Sequence, residues 1–187
     1  MKKFFSNIKS VFMILGGLFL ILLSACGVLS KKEVHGEDLR KLSDDKLFET
    51  VYLQTLDLVE AFDDEESAFA QISPAQRTVY ILSIYDMEIQ NGGLCQFFVN
   101  SSRLLAPQVE QCLKTVGAEE HRQLFAAFVA DNRLDLQNLD SFEITDVEEY
   151  SAQTERYDFD AFDNAYCELT PLQDHIVAYI KANILEF

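Results

Sequence analysis

Apolar residues recur every three or four positions from residue 47 onward, which is the spacing of one buried face of an α-helix. The first such stripe contains Leu47, Val51, Leu58 and Phe62. Ser43 is a candidate N-cap for this helix. A capping box at residues 73–76 predicts the start of a second helix, which is apolar almost all round through residue 89. Such a helix usually lies at the centre of a bundle.

Further helices are predicted along the rest of the chain. The second helix should end at residues 91–93, where Asn-Gly-Gly tolerates left-handed backbone, and a short helix should restart over residues 94–100. Others follow Pro107, surround residues 124–129 and begin after Asp158. A second capping box at residues 170–173 predicts the last helix, whose buried face contains Leu172, Ile176, Ile180 and Ile184. No series of strands is evident, so we predict an all-α fold, a single compact bundle of about six to seven helices.

Residues 132–157 have a weaker pattern. Phe142 and Ile144 alternate briefly with polar residues, and a possible capping box at residues 145–148 predicts one or two helical turns. A structureless loop of this length is uncommon inside a compact domain. We therefore expect short helical elements in this segment.

The first 25 residues differ from the rest of the chain in their composition, which is basic at the start and then apolar. Three lysines precede an apolar run over residues 11–23, and Leu-Ser-Ala-Cys follows at residues 23–26. The run is short for a membrane span, which needs about 20 apolar residues. The tetrapeptide resembles the lipobox of bacterial lipoproteins. This resemblance implies that residues 1–25 are a signal peptide, that Cys26 carries the lipid, and that the mature protein is anchored in the bacterial cell envelope, outside the cytosol. The alternative is an uncleaved anchor with a chance cysteine.

Charge narrows the range of partners. Residues 26–187 contain 12 basic and 31 acidic residues, a net charge of −19. Nucleic-acid binding needs basic patches, so we expect no direct nucleic-acid contact. We assign residues 26–43 to the lipidated cysteine and a polar tether, and residues 44–187 to an acidic helical domain. The candidate acidic binding surface consists of Asp140, Glu143, Asp146, Glu148, Glu149 and Glu155. The alternative is that these acids only keep the protein soluble.

The cysteines and histidines fit no known spacing of a metal or catalytic site. Once Cys26 is lipidated, Cys95, Cys112 and Cys167 remain, either as buried free thiols or with two of them in a disulfide. A nucleophilic pair between a cysteine and a histidine such as His121 or His175 is an alternative that sequence spacing does not test. We expect no cofactor and no bound metal.

The strongest local signature occupies residues 88–100, hereafter the motif. It begins with an acidic residue and continues through Asn-Gly-Gly, an apolar residue, Gln-Phe-Phe and Asn. This pattern resembles the family of DNA mimic protein nineteen, as do residues 113–118 and the aromatic and acidic segment at residues 159–166. The resemblance implies an acidic helical module that imitates the charge of DNA and binds a basic protein, with a homodimer as a possible state.

The motif has two interpretations. In the structural one, Gly92 and Gly93 turn the backbone between two helices, and Phe97 and Phe98 enter the core. The amides of Gln96 and Asn100, four residues apart, would then bond the helix end at Asn91 or the carboxylate of Glu88. In the alternative, the candidate pocket residues are Glu88, Asn91, Gly92, Gly93, Gln96, Phe97, Phe98 and Asn100.

Two functions remain open. We prefer a membrane-anchored acidic module that binds a basic protein, as an electrostatic decoy like those implied by the family. An exported domain does not meet a cytosolic transcription factor, so the partner would be another basic protein. The alternative is an extracytoplasmic enzyme or small-ligand-binding protein that uses the motif. The residues establish no reaction, and we prefer binding to catalysis.

Overall fold

The computed structural model describes residues 34–187, so the predicted signal peptide and Cys26 lie outside the described residues. The α-helices are α1 Asp44–Glu60, α2 Glu65–Phe69, α3 Pro74–Val99, α4 Ala106–Thr115, α5 Glu119–Asp131, α6 Val147–Arg156, α7 Phe159–Cys167 and α8 Leu172–Ala182. Shorter 3-10 helices span Gly36–Lys41, Ser101–Leu105, Asp140–Phe142 and Ile184–Glu186. Residues 34–187 contain no strand. Seven of these α-helices have nine residues or more, and the predicted all-α class is confirmed.

Helix α3 is the centre of the bundle. It contacts α1, α4, α6, α7 and α8, as its nearly uniform apolar surface predicts. The capping box is present. The backbone nitrogen of Gln76 donates to Ser73 Oγ at 3.1 Å, and the backbone nitrogen of Ser73 donates to Gln76 Oε1 at 2.8 Å. These two bonds satisfy backbone donors that would otherwise lack partners at the start of the helix.

A sharp break interrupts α3 at the two glycines of the motif. Gly92 has φ −161°, and Gly93 has φ 75° and ψ 177°, so neither is helical. Residues 94–99 then continue as a second helical segment in a new direction. The predicted helix end and restart are confirmed. Only Gly93 requires a positive φ, because the extended backbone at Gly92 is open to any residue.

The other predicted helix starts have mixed outcomes. Helix α1 begins after Ser43, but the Ser43 side chain makes no capping bond. Helix α7 is capped as predicted, with Asp158 accepting from the Ala161 nitrogen. The predicted box at residues 170–173 is wrong: α8 begins after Pro171, with no side-chain cap.

The weakly patterned segment at residues 132–157 contains a short 3-10 helix and α6. The N-cap of α6 is Asp146, one residue later than the predicted box, and it accepts from the Glu149 nitrogen at 2.9 Å. Glu149 accepts in return from the Thr145 nitrogen at 2.6 Å. The segment is therefore held by local hydrogen bonds of the expected kind, shifted by one position.

The folded domain begins earlier than residue 44. The 3-10 helix Gly36–Lys41 packs against the last 3-10 helix, Ile184–Glu186, and the Gly36 nitrogen donates to the carbonyl of Phe187 at 3.1 Å. Leu39 is fully buried there, which accounts for the docking of a segment that we predicted as tether. None of the helices in residues 34–187 combines the length and the apolar character that a bilayer-spanning helix requires.

Candidate functional site

The motif forms a closed hydrogen-bond network around one carboxylate. Glu88 Oε2 accepts from Gln96 Nε2 at 2.7 Å and from Asn100 Nδ2 at 2.8 Å. Glu88 Oε1 accepts from the hydroxyl of Ser102 at 3.0 Å. These three donors stabilise the partly buried charge, which would be costly without partners.

The motif residues do not all meet. The sequence offered two partners for the side-chain amides of Gln96 and Asn100, and both amides bond to Glu88. Asn91, at the other predicted partner site, is exposed and lies outside this network. Phe97 and Phe98 are fully buried, and Phe98 stacks on Phe142 with ring centres 4.8 Å apart. Ser102 was missed, because nothing in its sequence position marks it as a third donor.

A second carboxylate completes the break in α3. Asp163 on α7 accepts from the Leu94 nitrogen at 2.8 Å, and so caps the helical segment that follows the glycines. A Cβ on Gly93 would overlap Asp163 Oδ2. Burial raises the pKa of Asp163, and the bond from Leu94 opposes that rise. Asp163 lies in the aromatic and acidic segment at residues 159–166, and it is partly buried and supports the break in α3.

A second polar contact joins α7 to α3, next to a buried tyrosine. The Tyr166 hydroxyl donates to Asp86 Oδ1 at 2.7 Å, and burial raises the pKa of Asp86. The neighbouring Tyr85 hydroxyl is buried without a partner. The Tyr85 ring makes edge contacts with Phe97, Phe125 and Tyr166. Packing rather than hydrogen bonding therefore holds Tyr85 in place.

The surroundings of His121, Cys95 and Cys112 do not favour a nucleophilic role. His121 is buried, and both of its ring nitrogens lack hydrogen-bond partners. Its ring lies 5.7 Å from that of His175, and burial followed by repulsion from His175 lowers the pKa of His121 to about 4. Cys95 and Cys112 are buried, and burial raises both thiol pKa values, that of Cys112 to about 11. A raised pKa disfavours the reactive thiolate.

All three described cysteines are free thiols. The prediction of buried free thiols is confirmed for Cys95 and Cys112, whereas Cys167 is exposed. Residues 34–187 contain no cluster of histidine, cysteine or acidic side chains able to hold a metal ion.

The six residues of the acidic surface are all exposed. Three have local partners: Asp146 caps α6, Glu149 accepts from Thr145, and Glu143 pairs with Arg103 at 2.6 Å. The carboxylates of Asp140, Glu148 and Glu155 have no such partner among the described residues. These three charges are therefore directed to solvent and available to a partner.

Neither of two depressions on the surface of residues 34–187 is lined by Glu88, Gln96 or Asn100. One, of about 400 Å³, is lined by Glu65, Glu66, Phe69, Ala70, Arg77 and Gln108. The other, of about 200 Å³, is lined by Arg103, Leu104, Pro107, Leu136, Gln137, Leu139, Asp140 and Glu143. The second borders the acidic surface, since Asp140 and Glu143 belong to both.

The fold and the site together describe an acidic helical module whose signature motif is bonded internally and whose unpaired charges face solvent. The chain belongs to the DMP19-like protein family, whose pattern matches residues 70–183. The matched range contains the motif, Asp163 and the whole acidic surface. No curated protein and no solved structure matches the chain.

Proposed function

We propose that this chain is a lipid-anchored, extracytoplasmic module that binds a basic protein through its acidic surface. The observation that carries the proposal is the division of carboxylates between two roles. Glu88 is bonded to three donors inside the fold, whereas Asp140, Glu148 and Glu155 are exposed with no local partner. Family membership supports the same function, since the family is typified by a protein that imitates the charge of DNA.

The geometry of the motif gives the enzyme alternative little support. Both oxygens of Glu88 accept hydrogen bonds, so the carboxylate is already engaged by fixed donors within the fold. A general acid or base needs an oxygen that faces the substrate. Neither surface depression is lined by this carboxylate. The network instead joins the two halves of α3 to the following turn.

Anchoring at Cys26 is tested by metabolic labelling with a fatty-acid analogue. We expect the wild-type protein to carry the label and to partition into detergent, and Cys26→Ala to lose the label. Cys167→Ala is the matched control, because Cys167 is the exposed cysteine of the folded domain. Equal labelling of Cys26→Ala and wild type would contradict the anchor.

Binding is tested with two variants that remove equal charge. The surface triple variant carries Asp140→Asn, Glu148→Gln and Glu155→Gln. The control triple variant carries Asp57→Asn, Glu60→Gln and Asp63→Asn, which are also exposed. A basic partner is captured from the producing cells with the full-length protein in detergent. Its association rate is then measured at about 10 mM and about 150 mM NaCl.

We expect association to slow steeply with salt, and the surface triple variant to associate about tenfold more slowly than wild type at low salt. The control triple variant loses the same net charge, but at residues outside the acidic surface. Its association rate should therefore stay within about twofold of the wild-type rate. Equal slowing in the two variants, or binding that ignores salt, would overturn the acidic surface as the binding site.

A further inference from the structure

The depression of about 200 Å³ beside the acidic surface is lined by apolar as well as polar side chains. Leu104, in the 3-10 helix Ser101–Leu105, and Pro107, in the first turn of α4, line it together with Leu136 and Leu139. Leu104 is 52% exposed, although it lies in the tightly bonded turn that follows the motif. An exposed leucine beside other apolar residues of a depression differs from one isolated on a polar helix. A single side chain of a partner can bury the leucine and its apolar neighbours together.

The charge at the rim of this depression is negative. Arg103 lines it, but its Nη2 pairs with Glu143 at 2.6 Å and its Nη1 donates to the carbonyl of Asn100 at 3.0 Å. Only 13% of the Arg103 side chain is exposed. The guanidinium of Arg103 is therefore paired with Glu143, and Asp140 remains as the unpaired charge at the rim. The apolar residues of the lining thus lie beside the acidic surface.

The motif holds this depression in shape. Glu88 binds Ser102 and Asn100, and Arg103 binds the carbonyl of Asn100, so hydrogen bonds fix the chain just before Leu104. Leu105, which follows it, is buried in the core. A partner that buries Leu104 orders little additional backbone. Such preorganisation favours affinity.

We infer that the Leu104 depression receives one large apolar side chain of a cationic peptide segment, and that this contact gives the acidic surface its specificity. The inference rests on the proposed function. The volume of the Leu104 depression, about 200 Å³, is below the range of about 300–1,000 Å³ typical of small-molecule sites. It suits a single anchoring side chain. The net charge of −16 for the chain, and the acidic surface at the rim, favour lysine or arginine on either side of that anchor.

The test uses two synthetic lysine-alanine peptides of equal length and charge that differ at one central position, Phe in one and Ala in the other. Affinities for the full-length protein in detergent are measured by fluorescence anisotropy at about 10 mM and about 150 mM NaCl. We expect the Phe peptide to bind about tenfold more tightly, as burial of one anchor implies. Leu104→Ala should abolish that difference. Leu58→Ala, at another exposed leucine, should leave it unchanged.

Three results would overturn the inference. If both peptides bind equally and with steep salt dependence, the acidic surface remains the binding site and the anchor is wrong. If neither peptide binds at low salt, the proposed function fails as well. If the protein is a dimer that Leu104→Ala dissociates, the depression is covered by a second copy of the chain. Sedimentation of the wild type and of Leu104→Ala, together with their circular dichroism spectra, distinguishes dissociation of a dimer from misfolding of the variant.

Discussion

At the scale of single residues, Gly93 is the position most constrained by its surroundings. Its φ of 75° and ψ of 177° lie in a region essentially reserved for glycine, and a Cβ would overlap the Asp163 carboxylate. We expect Gly93→Ala to lower the free energy of unfolding by more than about 2 kcal/mol, from backbone strain and from loss of the cap on Leu94. Urea denaturation of the two proteins measures the difference.

Gly117→Ala is the matched control. Gly117 has nearly the same φ, 74°, but a Cβ there would meet no atom within 4 Å. Its substitution should cost about 1 kcal/mol from backbone strain alone. Equal loss of stability in the two alanine variants would show that Asp163 yields freely, and that its contact with this turn contributes nothing.

A buried histidine makes stability depend on pH. The pKa of His121 falls to about 4 in the fold from its ordinary 6.5, so the unfolded chain takes up the proton first on acidification. The contribution of His121 to stability is therefore complete above pH 6.5 and is lost as the pH falls toward 4. The loss cannot exceed about 1.4 kcal/mol for each pH unit.

Other titrating groups change stability with pH in the opposite direction to His121. The effect of His121 is therefore measured as the difference between the wild type and a variant that lacks this histidine. Burial raises the pKa of Glu65 to about 7, which favours the folded state as the pH falls through that value. We expect the unfolding free energy of His121→Phe to decline less than that of wild type between pH 6.5 and 4. Parallel curves for wild type and His121→Phe would refute the assignment.

At the scale of elements, Glu88 joins three pieces of chain: the first half of α3, its second half and the 3-10 helix that follows. Glu88→Gln keeps the size but replaces one acceptor oxygen by a donor, which leaves a hydrogen of Gln96, Asn100 or Ser102 unpaired. We expect a loss of about 1–3 kcal/mol in stability. Amide hydrogen exchange should accelerate in residues 101–105. Glu120→Gln, at an exposed acid on α5, should alter neither.

Local signals accounted for most of the helices. The capping box of Ser73 and Gln76, the cap at Asp158 and the glycines of the motif each act within three or four residues, so spacing alone revealed them. The failure at Thr170 shows the limit of this reasoning. The same residue types recur there, but α8 begins one residue too late for Thr170 to cap it.

The site needed contacts that spacing does not contain. Asp163 caps Leu94 from 69 residues away, and Tyr166 binds Asp86 from 80 residues away. Such pairs form because α7 packs on α3, which depends on the shape of the whole core. The pairing of Gln96 and Asn100 with Glu88 was foreseen as one of two possibilities, since all three lie within twelve residues. The neutralisation of Arg103 by Glu143 was not foreseen.

At the scale of the whole molecule, negative charge opposes the compact state. The chain has 31 acidic and 15 basic residues, and several carboxylates of the acidic surface have no positive partner among the described residues. Repulsion between them reaches about 30 Å at 10 mM salt but only about 8 Å at 150 mM. A surface kept acidic despite this repulsion is consistent with the binding role that we propose, and its electrostatic penalty is measurable without the partner.

We therefore expect the melting temperature of the wild type to rise by about 2–4 °C between 10 mM and 150 mM NaCl, the shift that about 1 kcal/mol produces in a domain of this size. The surface triple variant should melt higher than wild type at 10 mM NaCl and respond less to added salt, because three repelling charges are gone. Differential scanning calorimetry measures both, and sucrose at matched osmolality controls for effects other than screening. A wild type that is insensitive to NaCl, or a surface triple variant with an unchanged salt response, would show that these charges are too far apart to repel one another in the fold.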